Sequence, residues 1–274
     1  MLEKLYYESS DGTQRVQFGE KIYLNYNDLR DYEWSYNTSN NSAYNFYRES
    51  VEKKLPCVII GDTEQETKDL RNQMFEIFES DIKKERFGKI WCGDYYLECN
   101  VIKSSNDNYL NRRRIDTEFT IVCVDPSWTR ITDLGVFKPI ESSDGSAGLN
   151  YPYNYSFNYG VDNTVKNIKN DSFAPVDFEL VIHGYASDPS VTIGDYVYTV
   201  HCEVDNGYEL HINSSDKTIL LYDEYGNAEN YFRYRDREDY IFQQIESGEN
   251  SISWNGPFSI GLTLIEKRSE PKWT

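Results

Sequence analysis

Tyr196-Val-Tyr-Thr-Val-His-Cys-Glu-Val204 sets an apolar side chain at every second position: Tyr196, Tyr198, Val200, Cys202 and Val204. Successive side chains of a strand point to opposite faces, so such a run buries one face and solvates the other. Shorter runs of the same kind surround it. Asp177-Phe-Glu-Leu-Val-Ile182 stops at Gly184. Asp205-Asn-Gly207 turns into Glu209-Leu-His-Ile212, and Thr218-Ile-Leu-Leu-Tyr222 leads to the turn Glu224-Tyr-Gly-Asn227. Ser251-Ile-Ser-Trp254 turns at Asn255-Gly-Pro257 into Phe258, Ile260, Leu262 and Leu264. Regular turns with little helical period between them predict an antiparallel β-sandwich. Ile241-Phe-Gln-Gln-Ile245 reads as a short helical turn.

Upstream, the chain also reads as strands, with one helix. Val16-Gln-Phe and Lys21-Ile-Tyr-Leu-Asn-Tyr26 are short β-type runs, and Leu55-Pro-Cys-Val-Ile-Ile60 is a short buried strand. Asp31-Tyr-Glu-Trp-Ser-Tyr36 and Tyr44-Asn-Phe-Tyr47 flank the polar tract Asn37-Thr-Ser-Asn-Asn-Ser42, which predicts a hairpin. The apolar side chains of that hairpin are all aromatic, so they fit a neighbouring surface as readily as their own core. Thr63-Glu-Gln-Glu66 fits a capping box, and Leu70, Met74, Ile77 and Phe78 follow at helical spacing. That helix is expected to cover a sheet with one face and to fray from Asp81 to Arg86. Residues 88–102 predict a second hairpin turning at Gly93-Asp94. Asp116-Thr-Glu-Phe-Thr-Ile-Val-Cys-Val124 is a strand with Thr117, Phe119, Ile121 and Cys123 on one side. Residues 138–150, which contain Pro, Ser, Asp and Gly and little that is apolar, read as a linker, giving domains of 1–140 and 141–274.

The 274 residues include 46 acidic and 28 basic side chains, a formal charge of -18. Mean hydropathy is low at -0.70, but 24 Tyr, 13 Phe and 5 Trp mark a folded chain rather than a disordered one. Residues 1–140 carry 24 acidic and 19 basic groups, and residues 141–274 carry 22 and 9. The first part is thus near balance at -5 and the second is acidic at -13. Like charges resist association, so a self-associating surface is easier to place in the first part. The overall charge opposes general binding to nucleic acid. No apolar run reaches the ~20 residues of a membrane span, and the opening Met1-Leu-Glu-Lys-Leu-Tyr-Tyr-Glu8 lacks the apolar core of a secretory signal. Cys57, Cys92, Cys99, Cys123 and Cys202 are odd in number and unclustered, which argues against a disulfide framework or a structural zinc site.

Residues for chemistry are few. His183, His201 and His211 are scattered over predicted strands, with no metal-ligand spacing. No nucleophile elbow, phosphate loop or dinucleotide fingerprint occurs. No catalytic residue, metal or cofactor is therefore expected. Arg112-Arg-Arg114 and Arg233-Tyr-Arg-Asp-Arg237 stand out against the acidity and suit salt bridges within the chain or on a neighbour. Tyr225 and Trp254 are candidate glycan contacts if the sandwich binds sugar, the alternative being a carbohydrate-binding module or glycan-active enzyme.

Short motifs spread over about 250 residues keep a common order. They are Leu29-Arg-Asp-Tyr-Glu-Trp34, Gly93-Asp-Tyr-Tyr-Leu97 after the helix, Asp125-Pro-Ser-Trp128, Tyr151-Pro-Tyr-Asn-Tyr155 and Phe178-Glu-Leu-Val-Ile-His-Gly184. Asp188-Pro189, Lys217-Thr-Ile-Leu220, Ile245-Glu-Ser-Gly-Glu-Asn250 and Arg268-Ser-Glu-Pro-Lys-Trp273 complete them. In this order the sequence resembles the distal tail proteins of siphophages that infect Gram-positive bacteria. The resemblance implies a mainly β chain, with an N-terminal β-rich domain bearing one α-helix and a C-terminal galectin-like antiparallel β-sandwich. It implies a hexameric ring at the virion tail tip, assembled in the host cytoplasm around a channel through which DNA only passes. Implied partners are further copies of the chain, the tail tube protein, a tail-associated lysin-type tip protein, the tape measure and receptor-binding proteins, with no membrane. Tyr32, Trp34, Tyr36, Tyr44 and Tyr47, with Arg112, Arg113 and Arg114, are the candidate interface residues for that ring.

Overall fold

The computed structural model describes residues 5–111, 113–139 and 166–273, with the backbone alone for residues 106–111. Most of the expected linker, Tyr151–Tyr155 and Arg112 lie outside the described residues. By packing, the chain forms two units, Met1–Arg130 with Lys267–Thr274, and Ile131–Glu266. The chain is mainly β, with one α-helix among the described residues.

The first unit contains β1 (Leu5–Glu8), β2 (Arg15–Gln17), β3 (Ile22–Leu24), β4 (Ser35–Ser39), β5 (Ser42–Tyr47), β6 (Val51–Ile60) and α1 (Glu64–Lys83). They are followed by β7 (Gly88–Cys92), β8 (Tyr95–Asn111), β9 (Arg114–Cys123) and the start of β10 (Trp128–Phe137). All ladders are antiparallel and run β2-β1-β7-β8-β9-β6-β3. The long strand β8 joins two groups: Tyr95–Cys99 pair with β7, and Asn100–Asn111 pair with β9. A register shift between Val101 and Lys103 marks the bulge behind the changeover. The expected turn at Gly93-Asp94 joins β7 to β8, with Gly93 at φ 60°.

Helix α1 starts as its sequence predicts. Thr63 is the cap and accepts from Glu66 N–H at 3.1 Å. The Glu66 carboxylate, however, takes the N–H of Asp62 at 2.6 Å, one residue before the cap. Met74, Ile77 and Phe78 are buried against Ile59, Leu97, Phe119 and Ile121 in one core, with Leu70 partly buried at its margin. The expected fraying from Asp81 does not occur, because Asp81 is fully buried and the helix runs on to Lys83. Its carboxylate accepts from the Tyr7 hydroxyl at 2.7 Å and from Ser10 N–H at 3.0 Å. Burial, followed by this bond, pushes the Tyr7 hydroxyl well above its usual range, so it stays a donor. Gly88 is required beside them: a Cβ there would run into the Tyr7 ring and sit 2.8 Å from the Asp81 carboxylate.

The second unit holds two sheets. The strands are β11 (Lys166–Asn170), β12 (Asp177–His183), β13 (Ala186–Ser187), β14 (Ser190–Ile193), β15 (Tyr196–Thr199) and β16 (Glu203–Val204). They continue as β17 (Glu209–Asn213), β18 (Thr218–Tyr222), β19 (Ala228–Asn230), β20 (Gly248–Trp254) and β21 (Ser259–Arg268). One sheet runs β19-β18-β17-β12-β21 and the other β11-β20-β14-β15, all antiparallel. Phe178, Leu180, Ile182, Leu210, Ile212, Ile260 and Leu262 from the first pack with Val191, Ile193, Tyr198, Ile252 and Trp254 from the second. The unit is an antiparallel β-sandwich.

Two expectations here need correction. The run from Tyr196 to Val204 is not one strand: β15 ends at Thr199, and Glu203–Val204 pair with Ala186–Ser187 instead. The backbone turns aside because His201 N–H bonds Tyr234 O at 2.8 Å and Val200 bridges Arg235. Burial still alternates through Tyr198, Val200 and Val204. The turn expected at Ile241–Ile245 is confined to Ile241–Phe242, where Gln243 N–H bonds Tyr240 O at 3.0 Å, and it does not continue as a helix because Ile245 bridges Val176; the short 3₁₀ helix lies at Phe232–Tyr234.

Replacing Tyr7 by Phe leaves the Asp81 carboxylate short of its buried donor. We expect a loss of about 1–3 kcal/mol in urea unfolding monitored by circular dichroism, with the native spectrum retained.

Candidate assembly surface

The hairpin β4–β5 turns on Asn40-Asn41, both in the left-handed region at φ 47° and 64°. This is the two-residue turn whose twist matches that of antiparallel strands. A third left-handed residue, Asn45 at φ 51°, accompanies the register shift between Ser35 and Asn37. No charged residue occurs from Ser35 to Tyr47. Within β4 and β5 every residue except the half-buried Ser35 is exposed. Tyr36 and Phe46 touch at 5.8 Å between ring centres, yet they remain 55% and 57% exposed. Tyr32, Trp34, Tyr44 and Tyr47 are also exposed. An isolated two-stranded hairpin is marginal in water, so this one depends on its attachment.

Two cations make that attachment. Arg48 donates to Pro126 O at 3.2 Å, to Arg268 O at 3.3 Å and to Ser127 Oγ at 2.5 Å. Its guanidinium also lies 4.9 Å from the centre of the Trp34 ring. Lys53, 5% exposed on β6, donates to Asp28 O at 2.8 Å and Asp31 O at 2.5 Å, pinning the loop that enters the hairpin. Asp28 completes this foot by accepting Lys54 N–H at 2.9 Å. Burial lowers the pKa of both Arg48 and Lys53. A cleft of about 400 Å³ opens at the foot, with carboxylates of Asp28, Asp31, Glu33, Glu49 and Glu52 in its lining. Sequence reasoning named Tyr32, Trp34, Tyr36, Tyr44 and Tyr47 but missed Phe46, Arg48 and Lys53. Phe46 carried the same signal as its neighbours. The two cations carried none, because a basic residue beside a strand usually faces water.

The other candidates lie elsewhere. Arg113 and Arg114 sit where β8 turns into β9; Ile60 pairs with Arg114, and Val51 pairs with Cys123. The ladder is ten residues long, so the hairpin foot and the arginines are about 30 Å apart. Arg114 forms a two-pronged pair with Asp116 at 2.8 and 3.2 Å, while the Arg113 carbonyl accepts from Thr67 Oγ1 at 3.1 Å. Tyr225 is 82% exposed on a turn. Trp254 is buried at 7% and donates its indole N–H to Phe258 O at 2.9 Å, so its ring belongs to the core.

The histidines pair with carboxylates. His201 faces Asp236 at 3.1 Å, His183 faces Glu209 at 3.0 Å, and His211 lies between Glu179 at 3.1 Å and Glu209 at 3.4 Å. Among the described residues no group of metal-ligating side chains is arranged to hold a metal ion, and no helix is long and apolar enough to cross a membrane. The five cysteines are free, and burial pushes the Cys57 thiol up to about 12.

No family model matches the chain, and no curated protein matches it. Solved structures do. A chain of the phage P2 baseplate in its activated conformation with Ca aligns with a TM-score of 0.57 at 15% identity, covering 99% of this chain and 100% of that one. The Sr form of the p2 baseplate gives 0.57 at 13%, covering 99% and 100%. The SPP1 Dit protein, described as a paradigm of the hub adsorption apparatus in Gram-positive infecting phages, gives 0.59 at 9%, covering 96% and 99%. This chain has the Dit hub fold. At these identities the likeness concerns backbone architecture, and it spans both units.

Two outcomes test this geometry. Arg48→Ala should cost about 1–2 kcal/mol in chemical unfolding and speed amide exchange across Ser35–Tyr47. The His211 pKa is raised chiefly by its bond to Glu179, and the Glu179 pKa is lowered chiefly by the same bond. The His contribution is full below its ordinary 6.5 and fades as pH rises through the higher folded value; the Glu contribution is full above its ordinary 4.5 and fades as pH falls through the lower one. Stability from this pair therefore peaks between these limits. Relative to the native chain, His211→Ala should lose most near pH 5.5 and less near pH 8, measured by thermal unfolding in buffers of equal ionic strength.

Proposed function

We propose that this chain is a structural hub of a siphophage tail tip, working through repeated contact surfaces rather than a reacting group. In this reading residues 1–140 form a hexameric ring and residues 141–274 project as a galectin-like sandwich. The ring links the tail tube protein above to the lysin-type tip protein below, with the tape measure and receptor-binding proteins as further partners. It is part of the virion, assembled in the host cytoplasm, and DNA passes through its channel.

The observation that carries the reading is the uncharged aromatic hairpin, exposed on both faces and held at its foot by the half-buried Arg48 and the buried Lys53, on a chain with the Dit hub fold. Tyr, Trp and Phe are enriched at interfaces because they offer large contact area at low entropic cost. A ring needs head-to-tail contacts between two different surfaces of each copy. The hairpin foot with its acidic cleft and the Arg113–Arg114 turn lie at opposite ends of the β6–β9 ladder, which suits such a contact. The hairpin of one copy would reach the next and fix the ring, with the arginines meeting carboxylates.

Native mass spectrometry of the full chain tests this, supported by negative-stain images with its tail-tube neighbour. The native chain should give rings, and Trp34→Ala with Tyr36→Ala should shift the population towards monomer by about tenfold or more, since aromatic anchors commonly carry 2 kcal/mol or more at interfaces. An unchanged hexamer in the double variant overturns the role of the hairpin. Monomers under all conditions, with the tube protein present, overturn the ring.

A further inference from the structure

The strongest unassigned feature is a patch of arginines and rings at residues 232–240 of the second unit. Residues 141–274 contain 22 carboxylates against 9 basic groups. Yet among the described residues no carboxylate forms an ion pair with Arg233, Arg235 or Arg237. The guanidinium groups of Arg233 and Arg235 rest on aromatic rings instead, and Arg237 is exposed beside them. Arg235 stacks on Phe232 with its guanidinium carbon 4.0 Å from the ring centre, and gives one N–H to Phe232 O at 2.9 Å. Arg233 lies 4.5 Å from the Tyr234 ring centre and donates to the Tyr234 hydroxyl. The stack is anchored below, since Phe232 lies parallel to the buried Phe242 at 5.9 Å and Tyr240 meets that ring edge-on at 6.0 Å. Asp236, the nearest acid in sequence, is already engaged: it accepts Glu238 N–H at 2.7 Å and faces His201.

A guanidinium has five N–H donors, and stacking fixes its plane without using its edges. Arg233 and Arg235 are thus ordered in advance, with most donors free. Two adjoining troughs of about 540 and 470 Å³ share Arg235, Asp236, Arg237 and Glu238. Arginine beside exposed aromatics is the composition of an interface centre. Glu238 and Asp239 also line this surface, so a dense polyanion would meet repulsion, whereas a protein segment with spaced acids would not.

We infer that residues 232–240 form a docking surface for a carboxylate-bearing segment of a partner protein, whose acids engage Arg233, Arg235 and Arg237 while a ring settles beside Phe232 and Tyr240. This surface is independent of ring formation by the first unit. The test is fluorescence anisotropy of the full chain with a labelled short peptide of glutamate and tyrosine, alongside labelled dextran sulfate. Saturable peptide binding is expected, weakened about tenfold by Arg235→Ala and again by Arg237→Ala. Arg235→Lys should also weaken it, because an ammonium cannot present the two-pronged edge. Arg237 is exposed, so Arg237→Glu keeps the test readable if the stacked Arg235 variants fail to fold. Absence of saturable peptide binding, binding unchanged by Arg237→Glu, or binding of dextran sulfate alone would overturn the inference.

Discussion

Arg48 is the point on which the exposed aromatic hairpin of the first unit depends. Three elements meet there: the end of the aromatic hairpin, the Asp125–Ser127 loop, and the backbone of Arg268, 220 residues away in sequence. Its bonds go to two carbonyls and a hydroxyl, with an aromatic ring at its side. Carbonyls can hold a partly buried guanidinium without a second buried charge, and the fork tolerates several acceptors at once. Lys53 repeats the solution on the other side of the hairpin foot, again ending on carbonyls. The hairpin can therefore stay uncharged and uncovered, because its order is imposed at its base.

Much of the fold was legible because its signals are local. The cap at Thr63, the Met74–Ile77–Phe78 stripe, the turn at Gly93-Asp94 and the Asn-Asn hairpin each follow from a few adjacent side chains. Where long-range contacts decide, the reading failed. Asp81 looks like a fraying helix end until Tyr7, 74 residues away, supplies a donor for its carboxylate. The alternation from Tyr196 to Val204 identifies the side chains that face the core, with Tyr196 and Cys202 only partly buried, but it cannot reveal that Tyr234 and Arg235 draw the backbone out of its ladder. Burial is a property of each residue, whereas ladder pairing belongs to two segments.

The candidate surface shows the same division. Its aromatic residues were visible as a turn-centred run without aliphatic partners. The cations that hold it were not, since Arg48 and Lys53 differ from ordinary surface residues only through their distant acceptors. The two arginine clusters also diverge. Arg114 finds Asp116 two residues away, while Arg233 and Arg235 rest on rings and, among the described residues, pair with none of the many acids of their unit. Sequence alone ranks these clusters together, and only their surroundings separate them.

The return of Lys267–Thr274 to the first unit has a consequence for biogenesis. Arg30 donates to Pro271 O at 3.0 Å and stacks on Trp273 at 3.9 Å, while Arg48 reaches Arg268 O. On the ribosome these acceptors emerge only after the whole sandwich has been made. The aromatic hairpin is thus translated early and can be held first by Lys53 and the Pro126–Ser127 loop, while its bond to Arg268 O closes only after the sandwich strands have been made.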